Sequence, residues 1–279
     1  MTEREARVVQ PAHQETQQEV QQVQNVAGIT YLAEGEGIPI LFLHGVAGAA
    51  RQFGPQLAAF GRTQRALAWD MPGHGHSAPL PLVTMDAMAA SLGAFIAALG
   101  LDRPILVGHS LGGMIVQRLL VEAPHIARAV VLSQTSSAFG GRDPAWADSF
   151  IRERLGPLDE GRTMSDLAAR LARSQMAPAA PPSAVVLAED CIAHTPDSTY
   201  RDTILAMRGF DLRSALPHIA IPTLVIAGSL DQAAPATTLH RMADQIPGAR
   251  CVVLEGVGHF AHLEAPDRFN QAINDFIAS

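Results

Sequence analysis

The run Val107-Gly108-His109-Ser110-Leu111-Gly112-Gly113 joins an apolar strand-like segment, Pro104 to Val107, to a largely apolar helix-like one, Leu111 to Val121. A serine at such a junction can act as a nucleophile. The sharp strand-to-helix turn pushes its side chain out at the top of a sheet, and small residues two places either side let the neighbouring backbones pass. The helix that begins beneath it aims amides and a dipole at the negative charge that develops in acyl transfer. A serine hydroxyl is a poor nucleophile near neutral pH, so Ser110 needs a histidine base, and that base needs an acid to fix its tautomer. His259, in Gly256-Val257-Gly258-His259-Phe260, follows the predicted strand Cys251 to Leu254; Asp231, in Ala227-Gly228-Ser229-Leu230-Asp231, follows the predicted strand Thr223 to Ile226. Taken singly, each residue has a bland reading as a turn or solvated loop residue. Their placement after three different buried strands, in the chain order Ser, Asp, His, is what points to nucleophilic catalysis. Three other histidines read as packing or surface: His262 at the opening of the last helix, His109 inside the turn with its side chain directed away, and His240 in a helix-like run.

A tetrahedral intermediate also needs two backbone donors aimed at its oxyanion. One is the amide of Leu111, next after the nucleophile. The other is expected from the loop His44-Gly45-Val46-Ala47-Gly48, where a tight turn at Gly45 leaves the amide of Val46 as the donor; a simple turn is the competing reading. The string Asp70-Met71-Pro72-Gly73-His74-Gly75-His76-Ser77 suits a compound turn and reads as structural support for that loop.

These residues need a scaffold that brings three strand ends together. Apolar runs at Ile38–Leu43, Arg65–Trp69, Ile105–Val107, Ala129–Leu132, Thr223–Ile226 and Cys251–Leu254 alternate with helix-like stretches at 50–60, 85–99, 111–122, 237–246 and 266–277. That rhythm predicts an α/β fold, a mainly parallel, doubly wound sheet with helices on both faces and its site at the carboxyl ends of the strands. Glu19–Gln24 and Gly28–Ala33 read as two further, paired strands, and residues 1–18, rich in Gln and Glu, as a polar mobile tail. Residues 136–213 hold helical patterns and prolines but no clear buried strand. The segment is too long for a bare loop and is read as a helical cap inserted near the carboxyl edge, leaving 19–135 and 214–279 as the core.

Composition narrows the function. With 279 residues, 48% hydrophobic and 17% charged, the chain suits one large domain with an insertion. A net charge of −7 argues against nucleic acid or an anionic membrane surface as partner. All 20 positive residues are arginine, so a lysine Schiff base, a pyridoxal phosphate enzyme and a lysine-bearing phosphate loop are excluded. Cys191 and Cys251 match no metal spacing and read as ordinary thiols. No leader-like segment or apolar run of the ~18 residues of a membrane span is visible, which leads to the expectation of a cytoplasmic protein. Oligomeric state is not legible.

Through His44-Gly45, Asp70-x-Pro-Gly-His-Gly-x-Ser77, Gly108-x-Ser110-x-Gly112, Asp231, Gly258-His259, Glu264 and Pro266, the chain resembles the α/β-hydrolase superfamily from about Gly28 to Ile277. Within it, the chain is most similar to the group of 3-oxoadipate enol-lactonases, carboxylesterases and meta-cleavage product hydrolases. The resemblance implies an ester, lactone or carbon-carbon hydrolase of a small metabolite that uses no metal or organic cofactor. Serine at 110 departs from dehalogenases and epoxide hydrolases, which carry aspartate there, and Phe260 departs from the tryptophan usual in meta-cleavage hydrolases. Carbon-carbon or amide hydrolysis on the same triad, or a ligand receptor on the same fold, are the alternatives. Candidate substrate contacts are Phe260 and, if the substrate is acidic, Arg51, Arg142, Arg170 or Arg173; the competing reading for these arginines is solvated surface charge.

Overall fold

Six runs that are apolar on both faces, such as Pro39–Leu43 (PILFL) and Thr223–Gly228 (TLVIAG), can only be buried strands of a sheet covered on both sides. The computed structural model, which describes residues 23–140 and 144–279, has that arrangement for five of the six; the last run, Arg250–Leu254, is an edge strand and only Leu254 in it is buried. The strands are β1 (Gln24–Val26), β2 (Ile29–Glu34), β3 (Pro39–Leu43), β4 (Arg65–Trp69), β5 (Ile105–His109), β6 (Ala129–Ser133), β7 (Thr223–Gly228) and β8 (Arg250–Leu254). They form one sheet in the order β1-β2-β4-β3-β5-β6-β7-β8, antiparallel from β1 to β4 and parallel beyond. The predicted strand over 19–24 falls mostly outside the described residues, as does the predicted tail. The strand that pairs with β2 runs Gln24–Val26.

Strand periodicity divides the core. Leu41, Leu43, Leu67, Trp69, Leu106, Leu132 and Val225 face one layer; Ile40, Phe42, Ala66, Ala68, Ile105, Val107, Val131 and Ile226 face the other. The first layer is closed by α2 (Met85–Ala98) and α3 (Leu111–Glu122), the second by α1 (Gly54–Phe60). The sequence suggests one helix over 50–60. Instead a 3₁₀ turn, Ala50–Phe53, precedes α1, because Pro55 has no N–H to continue a ladder and suits a fresh helix start.

Between β6 and β7 the described residues form α4 (Pro144–Asp159), α5 (Met164–Gln175), α6 (Pro182–Ala193) and α7 (Asp197–Ala206), with a lone β-bridge between Ala138 and Asp211. α5 starts on a reciprocal cap: Thr163 N–H donates to the Asp166 carboxylate at 2.8 Å, and Asp166 N–H donates to Thr163 Oγ1. After β7, α8 (Ala236–Ala243) joins the first layer, and after β8 come a short α9 (Ala261–Glu264) and α10 (Pro266–Ile277) in the second. No described helix is long and apolar enough to cross a membrane.

Candidate active site

β5 ends in a turn that places Ser110 at φ 51°, ψ −119°, a conformation that costs a non-glycine residue about 1–3 kcal/mol and persists only when its surroundings enforce it. Here they do. A Cβ on Gly108 would lie 2.6 Å from the Gly113 backbone, and one on Gly112 would lie 2.4 Å from the Leu43 carbonyl, so only glycine lets α3 start so close to the sheet. The Ser110 N–H donates to Ser133 O at 2.9 Å, and its carbonyl accepts from the Thr135 hydroxyl at 2.6 Å.

The loops after β7 and β8 bring the other two predicted residues to this serine. His259 Nε2 lies 3.0 Å from Ser110 Oγ, and its Nδ1 lies 2.8 Å from Asp231 Oδ2. The second Asp231 oxygen accepts from the amides of Ala233 and Ala234 at 2.8 and 3.0 Å, which aims the carboxylate. Asp231 and His259 are both 5% exposed, so little water competes for these bonds.

Glu264, on α9, holds the histidine loop. Its carboxylate accepts from the amides of Gly258, Phe260 and Ala177 at 3.0, 2.9 and 2.8 Å. The third bond reaches Ala177, two residues beyond α5, and the His259 amide donates to Gln175 O at 2.8 Å. The loop is thus pinned from both the sheet side and the helical segment. His109 does not turn away as the sequence suggests. Its Nε2–H donates to the His259 carbonyl at 2.8 Å, and its ring lies against those of His259, Phe260 and His262, because the sharp turn directs it beneath the neighbouring loop. His262 is fully buried between the rings of His109 and Phe53, while His240 is exposed on α8.

The loop that carries Val46 is braced from behind. Asp70 accepts from the Ala50 amide and the Thr30 hydroxyl, each at 2.8 Å, and Ser77 donates to Asp70 O at 2.7 Å. His44 Nε2 accepts from the Met71 amide at 2.9 Å, which leaves Nδ1–H to donate to Gly45 O at 2.8 Å. That tautomer requires a neutral ring, and burial pushes the His44 pKa down to about 4. Burial acts the same way on His74 and His262, each pushed down to about 3, and on His109, held well below the ordinary value.

Ser110 and His259 open into a cavity of about 660 Å³ between the strand ends and α4–α7. Val46, Met114 and Phe260 line its floor; Phe139, Trp146, Phe150, Leu171, Ile192, Ile204 and Met207 line the walls and roof. Gln134 also lines it, fully buried at φ 43°. Of the predicted substrate contacts, Phe260 lies in the cavity. Arg51 does not: it pairs with Asp190 on α6 and ties that helix to the start of the 3₁₀ turn. Arg170 and Arg173 point to solvent from the outer face of α5. Arg142 falls outside the described residues. The guanidinium in the cavity wall belongs to Arg154, which sequence reasoning missed because nothing in the local pattern of α4 separates it from its neighbours Arg152 and Glu153. Glu264 was legible only as part of a motif; a carboxylate just before a proline that starts a helix was its one local signal.

Among the described residues no group of three or more His, Cys, Asp and Glu is placed to hold a metal ion. Both cysteines are free; burial pushes the Cys191 thiol up to about 12, which leaves it inert.

The family model for the alpha/beta hydrolase fold matches residues 38–266. The chain is 28% identical to a pimeloyl-[acyl-carrier protein] methyl ester esterase of Xanthomonas campestris pv. campestris, across 88% of this chain and 97% of that one. It is 29% identical to a part of polyketide synthase ThaQ of Burkholderia thailandensis, where 88% of this chain spans only 12% of the relative's length. Among solved structures, the enol-lactonase of Burkholderia xenovorans LB400 superposes with a TM-score of 0.78 at 25% identity, over 92% of this chain and 100% of that one.

Proposed function

The chain belongs to the α/β hydrolase fold family, and we propose that it is a cofactor-free serine hydrolase that cleaves a small carboxylic ester or lactone through an acyl-enzyme. The observation that carries this reading is the unbroken chain of hydrogen bonds from Asp231 through His259 to Ser110 at the mouth of an apolar cavity. His259 Nε2 takes the proton from Ser110 Oγ as the oxygen attacks the substrate carbonyl. The amides of Val46 and Leu111 receive the oxyanion; neither has a backbone acceptor among the described loop and cap hydrogen bonds. His259 then gives its proton to the leaving oxygen, and water attacks the acyl-enzyme by the same route. Asp231 holds the imidazole in the tautomer that presents a bare Nε2. Residues 136–213 act as a cap that roofs the cavity and selects the acyl or alcohol group. Esterase and lactonase names among the similar proteins agree with this reading.

Treatment with a fluorophosphonate, followed by mass mapping, tests it. Label on Ser110 that is lost in His259→Ala, with turnover of short 4-nitrophenyl esters or small lactones, is the expected result. A folded protein that neither labels nor turns over any ester or lactone overturns it.

A further inference from the structure

We propose that Arg154, with the Tyr200 hydroxyl beside it, forms an anion-binding subsite in the cavity wall, and that the substrate carries a carboxylate at the far end of an apolar body. The inference deepens the hydrolase reading, on which it rests for the bond that is cleaved. Arg154 comes from α4 and Tyr200 from α7, and both line the cavity into which Ser110 opens. No other arginine among the described residues lines it. Five other arginines, at positions 51, 118, 201, 208 and 213, have carboxylate partners, whereas no described carboxylate pairs with Arg154.

The guanidinium is nonetheless held in place. It sits 5.0 Å from the centre of the Phe150 ring, a placement that cation–π attraction favours, and it hydrogen-bonds the Tyr200 side chain, which leaves its remaining N–H groups for a ligand. Tyr200 is 3% exposed, and burial raises its pKa, so its hydroxyl stays protonated and able to donate. Arg154 opposes that rise, as does Arg170 more weakly, while Glu153 adds to it. A half-buried cation without a counter-ion in an apolar wall is the situation that an incoming carboxylate relieves, by charge-assisted hydrogen bonds to a planar fork. Phe139, Leu171, Ile204 and Met207 supply the apolar surface for the body of such a substrate.

The test compares 4-nitrophenyl monoesters of adipic, suberic and sebacic acids with 4-nitrophenyl hexanoate, octanoate and decanoate. The wild type is expected to favour one or more of the acidic esters over its neutral partner. Arg154→Gln should then lower kcat/KM for that ester by tenfold or more, through KM, and change the neutral series by less than threefold. Arg154→Lys should recover part of the loss, and Tyr200→Phe should give a smaller loss of the same kind. A preference for the neutral series, or an equal fall in both, overturns the proposal. A second readout does not depend on turnover: calorimetric binding of monomethyl suberate to Ser110→Ala, expected to be lost in Ser110→Ala/Arg154→Gln. Binding that is absent or indifferent to Arg154 counts against the subsite. Arg154-dependent binding in a protein that cleaves no ester or lactone would sink the hydrolase reading and leave the subsite standing.

Discussion

At the carboxyl edge of the sheet, the polar side chains around Ser110 are fixed by one another and by backbone amides. Asp231 accepts three hydrogen bonds, Glu264 three, and His109 and His44 each hold a loop carbonyl. Above them the helical segment offers the cavity mostly apolar surface. Its aromatic group of Phe139, Trp146 and Phe150 packs ring on ring, with Trp146 47% exposed. Hydrogen bonds are directional and set positions to a few tenths of an ångström, as acyl transfer requires. Apolar contacts are not directional and tolerate changes of shape. The floor is therefore suited to holding a fixed geometry and the roof to admitting varied shapes.

Changes to the two regions should differ in kind, and the largest effect is expected at the floor. Asp231→Asn removes the acceptor that sets the His259 tautomer, and kcat should fall by about 10⁴-fold with little change in KM. A loss below tenfold in steady-state kinetics would break the contrast at its strongest point.

Glu264→Gln keeps the volume but sets an NH₂ group against buried amides. Stability should drop by about 1.5–3 kcal/mol, and kcat should drop roughly 10- to 100-fold as the His259 loop shifts. Denaturant unfolding and kinetics on one preparation check both, and a change in stability without a change in kcat would make Glu264 a purely structural residue.

The buried histidines give the floor an acid limit. His44, His74, His109 and His262 have folded pKa values below the unfolded value of 6.5, so between the two values the unfolded chain binds more protons than the folded one. Stability is then full above about pH 6.5 and declines as pH falls toward 4, by up to about 1.4 kcal/mol per pH unit for each histidine. Chemical denaturation at pH 7.5, 6 and 5 measures the slope, and the same stability at all three values would contradict it.

The smallest effect belongs to the roof. Trp146→Ala should cost about 1 kcal/mol of stability, from two ring contacts. It should change kcat/KM about three- to tenfold for bulky acyl groups and hardly at all for acetyl esters. An equal change for all acyl lengths would mean that the roof also positions the catalytic groups.

The positions of Ser110, His259 and Asp231 were legible because each follows a run of apolar residues whose length marks a strand, although the strand before His259 proves to be a half-exposed edge strand. Pro266 to Ile277 was read to the residue, since Pro and a 3.6-residue apolar period bound it clearly. The split of 50–60 into a 3₁₀ turn and a helix was not read, because both share one apolar face and only the hydrogen bonds distinguish them.

By itself, the sequence determined the doubly wound sheet, the order of the three chemical residues along it and the helical content of the segment after β6. These follow from periodicity and from short-range steric rules, which act over a few residues. Only the tertiary structure decided which arginine meets the cavity, that His109 and Glu264 hold the histidine loop, and that Arg51 is engaged by Asp190. Those outcomes depend on how the faces of α4, α6 and α9 rotate against the rest of the fold. That rotation is set by packing between segments up to a hundred residues or more apart, on which local spacing carries no information.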